Sequence, residues 1–267
     1  MFNTKNGRLR LHGAVMDYIL FGKGEKDLVM IPGLGDGLLT VRGKALPFSL
    51  MYTKYAKAFR VWMFSRPDPL PQGHTTRDMA RDLKDAMVLL GIEKASVIGI
   101  SQGGMIAQHL AIDYPEKVEK LVLTVTVPCA NEVLTQNVQN WMEMARRDDY
   151  AAIMEDNLRQ MYTEAYVKKN RWLLPITTRV GKPKRFDRFL VQAEACLTHD
   201  AASGLGAITA PTLILGGGQD RTLGVGGSYA LQEAIPNSRL RVWEDYGHAL
   251  YDEAPDFDDV VLGFLQE

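Results

Sequence analysis

The feature that most restricts what this chain can fold into is Gly99-Ile100-Ser101-Gln102-Gly103, which follows the apolar run Ala95-Ser96-Val97-Ile98 and opens a run of helical character. A serine flanked by glycines where a strand meets a helix fits a tight turn in which a Cβ at either glycine would collide with neighbouring backbone. Such a turn pushes the Ser101 hydroxyl out of the sheet. It also sets that hydroxyl beside the free N–H groups and positive end of the following helix.

The segments around this turn alternate between strand and helix. Arg8 to Leu11 and Val15 to Phe21 read as two strands joined at His12-Gly13, an antiparallel entry hairpin. Asp27 to Ile31 is a buried strand that empties into the glycine-rich Pro32-Gly33-Leu34-Gly35-Asp36-Gly37. A helical pattern from about Leu50 to Phe59 leads to a strand from Arg60 to Ser65 and a proline-rich loop. Met79, Leu83, Met87 and Leu90 recur at helical spacing within Thr76 to Leu90, an amphipathic crossover helix. The helix after Ser101 runs to about Tyr114, and Lys120 to Val127 is the next strand. Repeated strand-helix-strand units predict a parallel sheet covered on both faces.

After Pro128 the pattern becomes helical and stays so to about Ala195, with Trp141, Met142, Met144, Ile153, Met154, Leu158, Met161 and Tyr162 forming a methionine- and aromatic-rich set. Gly181-Lys182-Pro183 breaks this run before a last helix near Phe186 to Leu197. Strand signals return at Ala210 to Leu215 and Arg239 to Trp243, with helices at Ser228 to Ile235 and Phe257 to Leu265. The expected division is a core of residues 1–128 and 197–267 with a helical cap, 129–196, inserted after the sixth strand.

Composition narrows the function classes. With 267 residues, 46% of them apolar, the chain can bury one large core. A net charge of −1 gives no electrostatic footprint for nucleic acid. No stretch reaches the roughly 18 consecutive apolar residues of a membrane span, and the first seven residues lack an apolar leader core, so a cytoplasmic protein is expected. Cys129 and Cys196 make no disulfide framework and are expected to be reduced and buried, and no Cys/His cluster has zinc spacing. Gly33, Gly35 and Gly37 do not complete a dinucleotide loop, since Leu38 stands where the third glycine belongs. Neither metal nor cofactor is implied.

Two further stretches give the pattern a family likeness. Leu215-Gly216-Gly217-Gly218-Gln219-Asp220 places a carboxylate on a glycine-rich loop after a strand, and Tyr246-Gly247-His248-Ala249 precedes the closing helix. With Gly99 to Gly103, the chain resembles the α/β-hydrolase family in its cap-bearing form over essentially its whole length, with the order Ser101, Asp220, His248. The resemblance implies a mostly parallel, eight-stranded twisted sheet flanked by helices, with an inserted helical cap. It also implies a nucleophile elbow at Ser101.

The chemistry follows from the residues themselves. A serine hydroxyl is a weak nucleophile at neutral pH and needs a base to take its proton. His248, with an unperturbed pKa of ~6.5, moves protons in both directions, and Asp220 would fix its tautomer and stabilise its cationic form. Glu132 is the alternative acid. The carbonyl oxygen of a substrate gains negative charge during attack, and the backbone N–H groups of Leu34 and Gln102 are the candidate oxyanion donors. Family members often carry His-Gly where this chain has Pro32-Gly33, so the mouth of the pocket is expected to differ.

Trp141, Met142, Met161 and Tyr162 are the candidate substrate-binding residues, since a cap must turn some of its apolar side chains toward the cleft. The leading activity is carboxylic ester hydrolysis through an acyl-enzyme, on a small-molecule, ester-like, apolar substrate. Lactone opening, thioester cleavage, C–C bond hydrolysis and cofactor-free perhydrolysis use the same three groups. A ligand-binding or receptor role on a retained scaffold is the alternative of a different class. A monomer or homodimer is expected.

Overall fold

The computed structural model describes residues 3–170, 172, 175 and 181–267. Part of the expected cap, residues 171, 173–174 and 176–180, and the first two residues lie outside the described residues. Eight strands form one sheet in the order β1-β2-β4-β3-β5-β6-β7-β8. In chain order they are β1 (Lys5–Leu11), β2 (Ala14–Gly22), β3 (Asp27–Ile31), β4 (Arg60–Phe64), β5 (Ala95–Ile100), β6 (Val118–Thr124), β7 (Thr212–Gly217) and β8 (Ser238–Trp243). The first two strands enter as an antiparallel hairpin, β2 also pairs antiparallel with β4, and every later pairing is parallel. The sheet is therefore mixed but mostly parallel. The hairpin turns at His12 and Gly13 with φ of 51° and 84°, the paired positive values of the turn whose twist matches the strands it joins.

Strand periodicity sorts the core into two layers. Val29, Ile31, Val97, Leu121 and Leu123 face one side of the sheet, and Leu28, Met30, Ile98 and Val122 face the other. Helices α1 (Ala45–Met51) and α2 (Thr53–Ala58) pack on the second face, with the chain's closing helix over Phe257, Val261 and Phe264. Helices α3 (Thr76–Leu89) and α4 (Gln102–Asp113) cover the first face. The spacing read from the sequence holds in α3, where Met79, Leu83 and Met87 are all buried. Thr75 and Asp78 cap this helix reciprocally, each side chain taking the other's backbone N–H.

Two expected boundaries are corrected. The single helix expected from about Leu50 to Phe59 is two helices broken at Tyr52, because the Thr53 hydroxyl donates to the Leu50 carbonyl at 2.6 Å and competes with the helical ladder. The strand expected to run to Val127 ends at Thr124, because Val125 adopts a φ of 43° and turns the chain out of the sheet.

Between β6 and β7 the described residues form helices α5 (Glu132–Arg146), α6 (Tyr150–Met161), α7 (Glu164–Asn170) and α8 (Asp187–Leu197). A third apolar cluster holds α5, α6 and α8 together through Leu134, Val138, Trp141, Ile153 and Phe189. The two chain crossings into this layer lie side by side. Cys129 and Asp200 form an antiparallel bridge, Ala130 N–H donates to the His199 carbonyl at 2.9 Å, and Ala201 N–H donates to the Pro128 carbonyl at 2.8 Å. Behind this bridge His199 is 2% exposed, with Thr76 Oγ1 2.9 Å from Nδ1 and the Val127 carbonyl 3.2 Å from Nε2. The carbonyl can only accept, so Nε2 carries the proton and the ring is neutral with both nitrogens satisfied. Cys196 is buried and Cys129 half-buried, and both are free thiols. No described helix is long and apolar enough to cross a membrane.

Candidate active site

The site is assembled at the carboxyl ends of the central strands. β3 and β5 run parallel with Ile31 opposite Gly99, so the glycine-rich loop after β3 leaves the sheet beside the turn after β5. A Cβ at Gly103 would sit 2.0 Å from the Ile31 carbonyl oxygen, and one at Gly99 would sit 2.5 Å from the Gly103 carbonyl oxygen. Only glycine fits at either place. Between them Ser101 holds a φ of 55° and a ψ of −120°, a conformation that stores strain in a residue with a side chain. Ser101 N–H donates to the Thr124 carbonyl at 2.9 Å, and the Thr126 hydroxyl donates to the Ser101 carbonyl at 2.9 Å, so neighbouring strand ends fix the turn. A Cβ at Gly33 would lie 3.9 Å from Ser101 Oγ, which places that loop against the hydroxyl.

His248 and Asp220 come from the loops after β8 and β7. His248 Nδ1 lies 2.8 Å from Asp220 Oδ2, and both residues are buried. The other Asp220 oxygen accepts the backbone N–H groups of Thr222 and Leu223 at 2.8 and 3.0 Å. Burial alone would raise the Asp220 carboxyl, but the His248 ring and these two N–H groups outweigh it and hold the group below the usual carboxylate range. Glu132 is exposed at the start of α5 and takes no part.

Ser101 and His248 share the wall of one cavity of about 400 Å³, to which the glycine-rich loop contributes Gly33 and Leu34 and the start of α1 contributes Lys44. Trp141, Met161 and Tyr162 reach the same cavity from the helical layer, joined by Met154 and Phe189, which the sequence did not single out for this wall. The Trp141 indole is pinned by a 2.6 Å hydrogen bond to Asp156, and the Tyr162 hydroxyl donates to Asp252 at 2.7 Å. Met142 is the exception and corrects the expectation. It is 3% exposed and packed inside the helical cluster, because one step along α5 turns its side chain about 100° away from that of Trp141. Leu34 and Gln102 are each the first residue of a helical segment, Leu34–Gly37 and Gln102–Asp113 respectively. Their N–H groups have no acceptor within those helices.

A buried charged network braces this region. Asp36 lies in the glycine-rich loop, Arg66 just past β4 and Arg188 on α8, and Asp36 and Arg66 are almost fully buried. Arg188 donates to the Asp36 carboxylate and carbonyl and, at 2.9 Å, to the Arg66 carbonyl. One guanidinium nitrogen of Arg66 donates to the Pro32 carbonyl at 2.5 Å and to Gln102 Oε1 at 3.1 Å, so a single side chain ties the residues preceding Leu34 to the start of α4. Burial works to raise the Asp36 carboxyl, but Arg188 and Arg66 overcome it and keep it ionised. Arg66 itself is pushed down by burial to about 10 and still carries its charge at neutral pH. Asp36 and Arg66 lie in loops and Arg188 on a helix, so no periodicity in the sequence links the three. The only hint was a charged side chain just past each of two adjacent strand ends.

With the fold, the strained serine and the histidine–carboxylate pair described, comparison with known proteins gives the family and, with it, the class, a hydrolase. The chain belongs to the α/β-hydrolase fold family, whose description matches residues 27–255. It is 28% identical over 280 residues to a 2-hydroxy-6-oxononadienedioate/2-hydroxy-6-oxononatrienedioate hydrolase of Pseudomonas putida, an alignment covering 97% of this chain and 92% of that one. Its fold is shared with the enol-lactonase from Burkholderia xenovorans LB400, at 20% identity, a TM-score of 0.81 and coverage of 98% and 100% of the two chains. It is shared equally with a thermophilic esterase from Thermogutta terrifontis, at 19% identity, a TM-score of 0.78 and 98% coverage of each chain.

Proposed function

We propose that this hydrolase cleaves carboxylic esters of small to medium, largely apolar substrates through an acyl-enzyme. Ser101 is the nucleophile, His248 the general base and then general acid, and Asp220 the group that holds the imidazole. The observation that carries this reading is a strained serine on the wall of a cavity shared with a histidine whose Nδ1 is 2.8 Å from a buried carboxylate.

In this reading Nδ1 of His248 holds the proton shared with Asp220, which leaves Nε2 unprotonated to accept the Ser101 proton as Oγ attacks the carbonyl carbon. The carbonyl oxygen becomes an oxyanion held by the Leu34 and Gln102 N–H groups. Losing one such donor typically lowers kcat by roughly 10²–10³. Collapse of the adduct expels the alcohol, protonated by the imidazolium, and water repeats the sequence to release the acid. The segment 129–196 acts as a cap over the cleft. Trp141, Met161 and Tyr162 supply its apolar wall, which sets acyl preference.

A second reading, hydrolysis of a C–C bond beside a ketone, draws on the Pseudomonas putida relative and uses the same three side chains. The two are separated by turnover of p-nitrophenyl acetate and butyrate against a 2-hydroxy-6-oxo-dienoate followed by its absorbance. Ester turnover at least ten-fold greater in kcat/KM is the expected result. Dienoate cleavage dominating by the same margin would replace the first reading with the second.

A further inference from the structure

Lys44 is the one lysine or arginine among the described residues that line the cavity, and its ammonium is within ion-pair distance of no carboxylate there. It lines the cavity that contains Ser101 and His248 and is partly buried at the start of α1. Its Nζ makes no ion pair there and sits 5.8 Å from the centroid of the Phe48 ring, itself part of the same wall. The one carboxylate on that wall, Asp36, is already engaged by Arg188 and by the Arg66 backbone N–H, with Arg66 Nη1 3.8 Å away.

Among the residues that line the cavity, Asp36 is the one carboxylate and Lys44 the one lysine or arginine. The remaining ionisable groups of the wall are the His248 ring and the phenols of Tyr52, Tyr162 and Tyr251, none of which supplies an anion at neutral pH. Asp252, which accepts from Tyr162, belongs to a neighbouring hollow of about 220 Å³ and not to this wall. Burial pulls the Lys44 ammonium below its ordinary range while Asp36 partly restores it. A cation kept partly out of water and unpaired is unfavourable until an anion joins it.

We propose that Lys44 is the anion-recognition residue of this cavity, and that the natural substrate carries a free carboxylate in addition to the acyl group that is cleaved. The proposal rests on the reading of Ser101 as nucleophile, because it concerns the same cavity. The chemical class is the half-ester of a dicarboxylic acid, or an ester whose alcohol part bears a carboxylate. Ammonium against carboxylate favours such a ligand over the neutral ester of the same length, while the apolar part of the lining, Leu34, Leu38, Met154 and Phe189 among it, accepts the methylene chain between the two ends.

The test uses two matched pairs, monoethyl adipate with ethyl hexanoate and 5-acetoxypentanoate with pentyl acetate. Binding is measured calorimetrically to the full-length Ser101→Ala protein, so that no turnover intervenes, and hydrolysis is followed separately with the parent. The anionic member of at least one pair is expected to bind ten-fold or more tightly. That preference should fall below three-fold in Ser101→Ala/Lys44→Met and persist in Ser101→Ala/Lys44→Arg, with all three proteins showing native circular dichroism. Equal binding within both pairs, or a preference that survives Lys44→Met, overturns the proposal. Failure of the nucleophile reading shows separately, as undiminished hydrolysis by Ser101→Ala.

Discussion

Replacing Ser101 by alanine is expected to lower kcat for p-nitrophenyl butyrate by on the order of 10⁴–10⁶, because the three groups act as a unit and removal of the nucleophile disables the other two. The loss should appear in kcat with little change in KM, since the hydroxyl contributes to bond making and little to ground-state binding. Alanine must adopt the same φ of 55° as the serine, so the strain of the turn persists and the melting temperature should move little. Steady-state kinetics and a thermal melt of the same preparation check both halves. Activity at the parental level would remove Ser101 from the mechanism, whereas loss of activity with loss of folding would show only that the turn had failed.

The second large effect is on stability in weak acid and comes from His199. Burial first, and then the neighbouring His109 ring, depress the His199 imidazole to about 3. The two rings lie 5.3 Å apart at 81°. An unfolded histidine titrates near ~6.5. Between those values the unfolded chain binds a proton that the folded chain refuses, so stability falls as pH falls through this window and is fully present above it. The slope approaches about 1.4 kcal/mol per pH unit for one such group, and the whole window amounts to about 5 kcal/mol.

His109 is depressed in the same direction, chiefly by burial and then by Arg77, and adds to the slope. Asp36 and Asp220 act elsewhere. Their carboxyls are lowered, so what they contribute is present above about 4 and lost below it. The Asp252 carboxyl is raised, chiefly by burial, and acts with the opposite sign, so it is the comparison of urea midpoints between the parent and His199→Gln at pH 8, 6.5 and 5 that isolates this ring. The parent should lose stability steadily below pH 6.5, and His199→Gln should show a shallower decline by about one proton, from a somewhat lower plateau. An identical slope in the variant would contradict the account of this ring. Because His199 packs behind the bridge between Cys129 and Asp200, the same acid sensitivity should loosen the two chain crossings into the helical layer.

What was legible in the sequence was what local chemistry dictates. Gly99 and Gly103 are legible because no other residue fits, and Asp220 and His248 because each follows a strand on a loop opened by glycine. Short strands such as Asp27–Ile31 were legible because both faces are buried past the first residue, so that Leu28 to Ile31 must all be apolar. What was not legible depends on long-range packing. Whether Trp141 or Met142 faces the cavity is decided by the rotation of α5 against α6 and α8, and both side chains are apolar and buried. Asp36, Arg66 and Arg188 are separated by 30 to 152 positions and meet only after the loops fold over α8. The break at Tyr52 turns on a single threonine hydroxyl. Lys44 reads as an ordinary surface lysine until the cavity beside it is seen.

Labelling of the purified protein with a fluorophosphonate, followed by proteolysis and peptide mapping, tests the central claim most directly, because the probe phosphonylates only a hydroxyl that a base has activated. One adduct is expected, on the peptide containing Ser101, abolished in Ser101→Ala and strongly slowed in His248→Ala. An adduct on any other residue, or ester turnover that continues while Ser101 stays unmodified, would contradict the account.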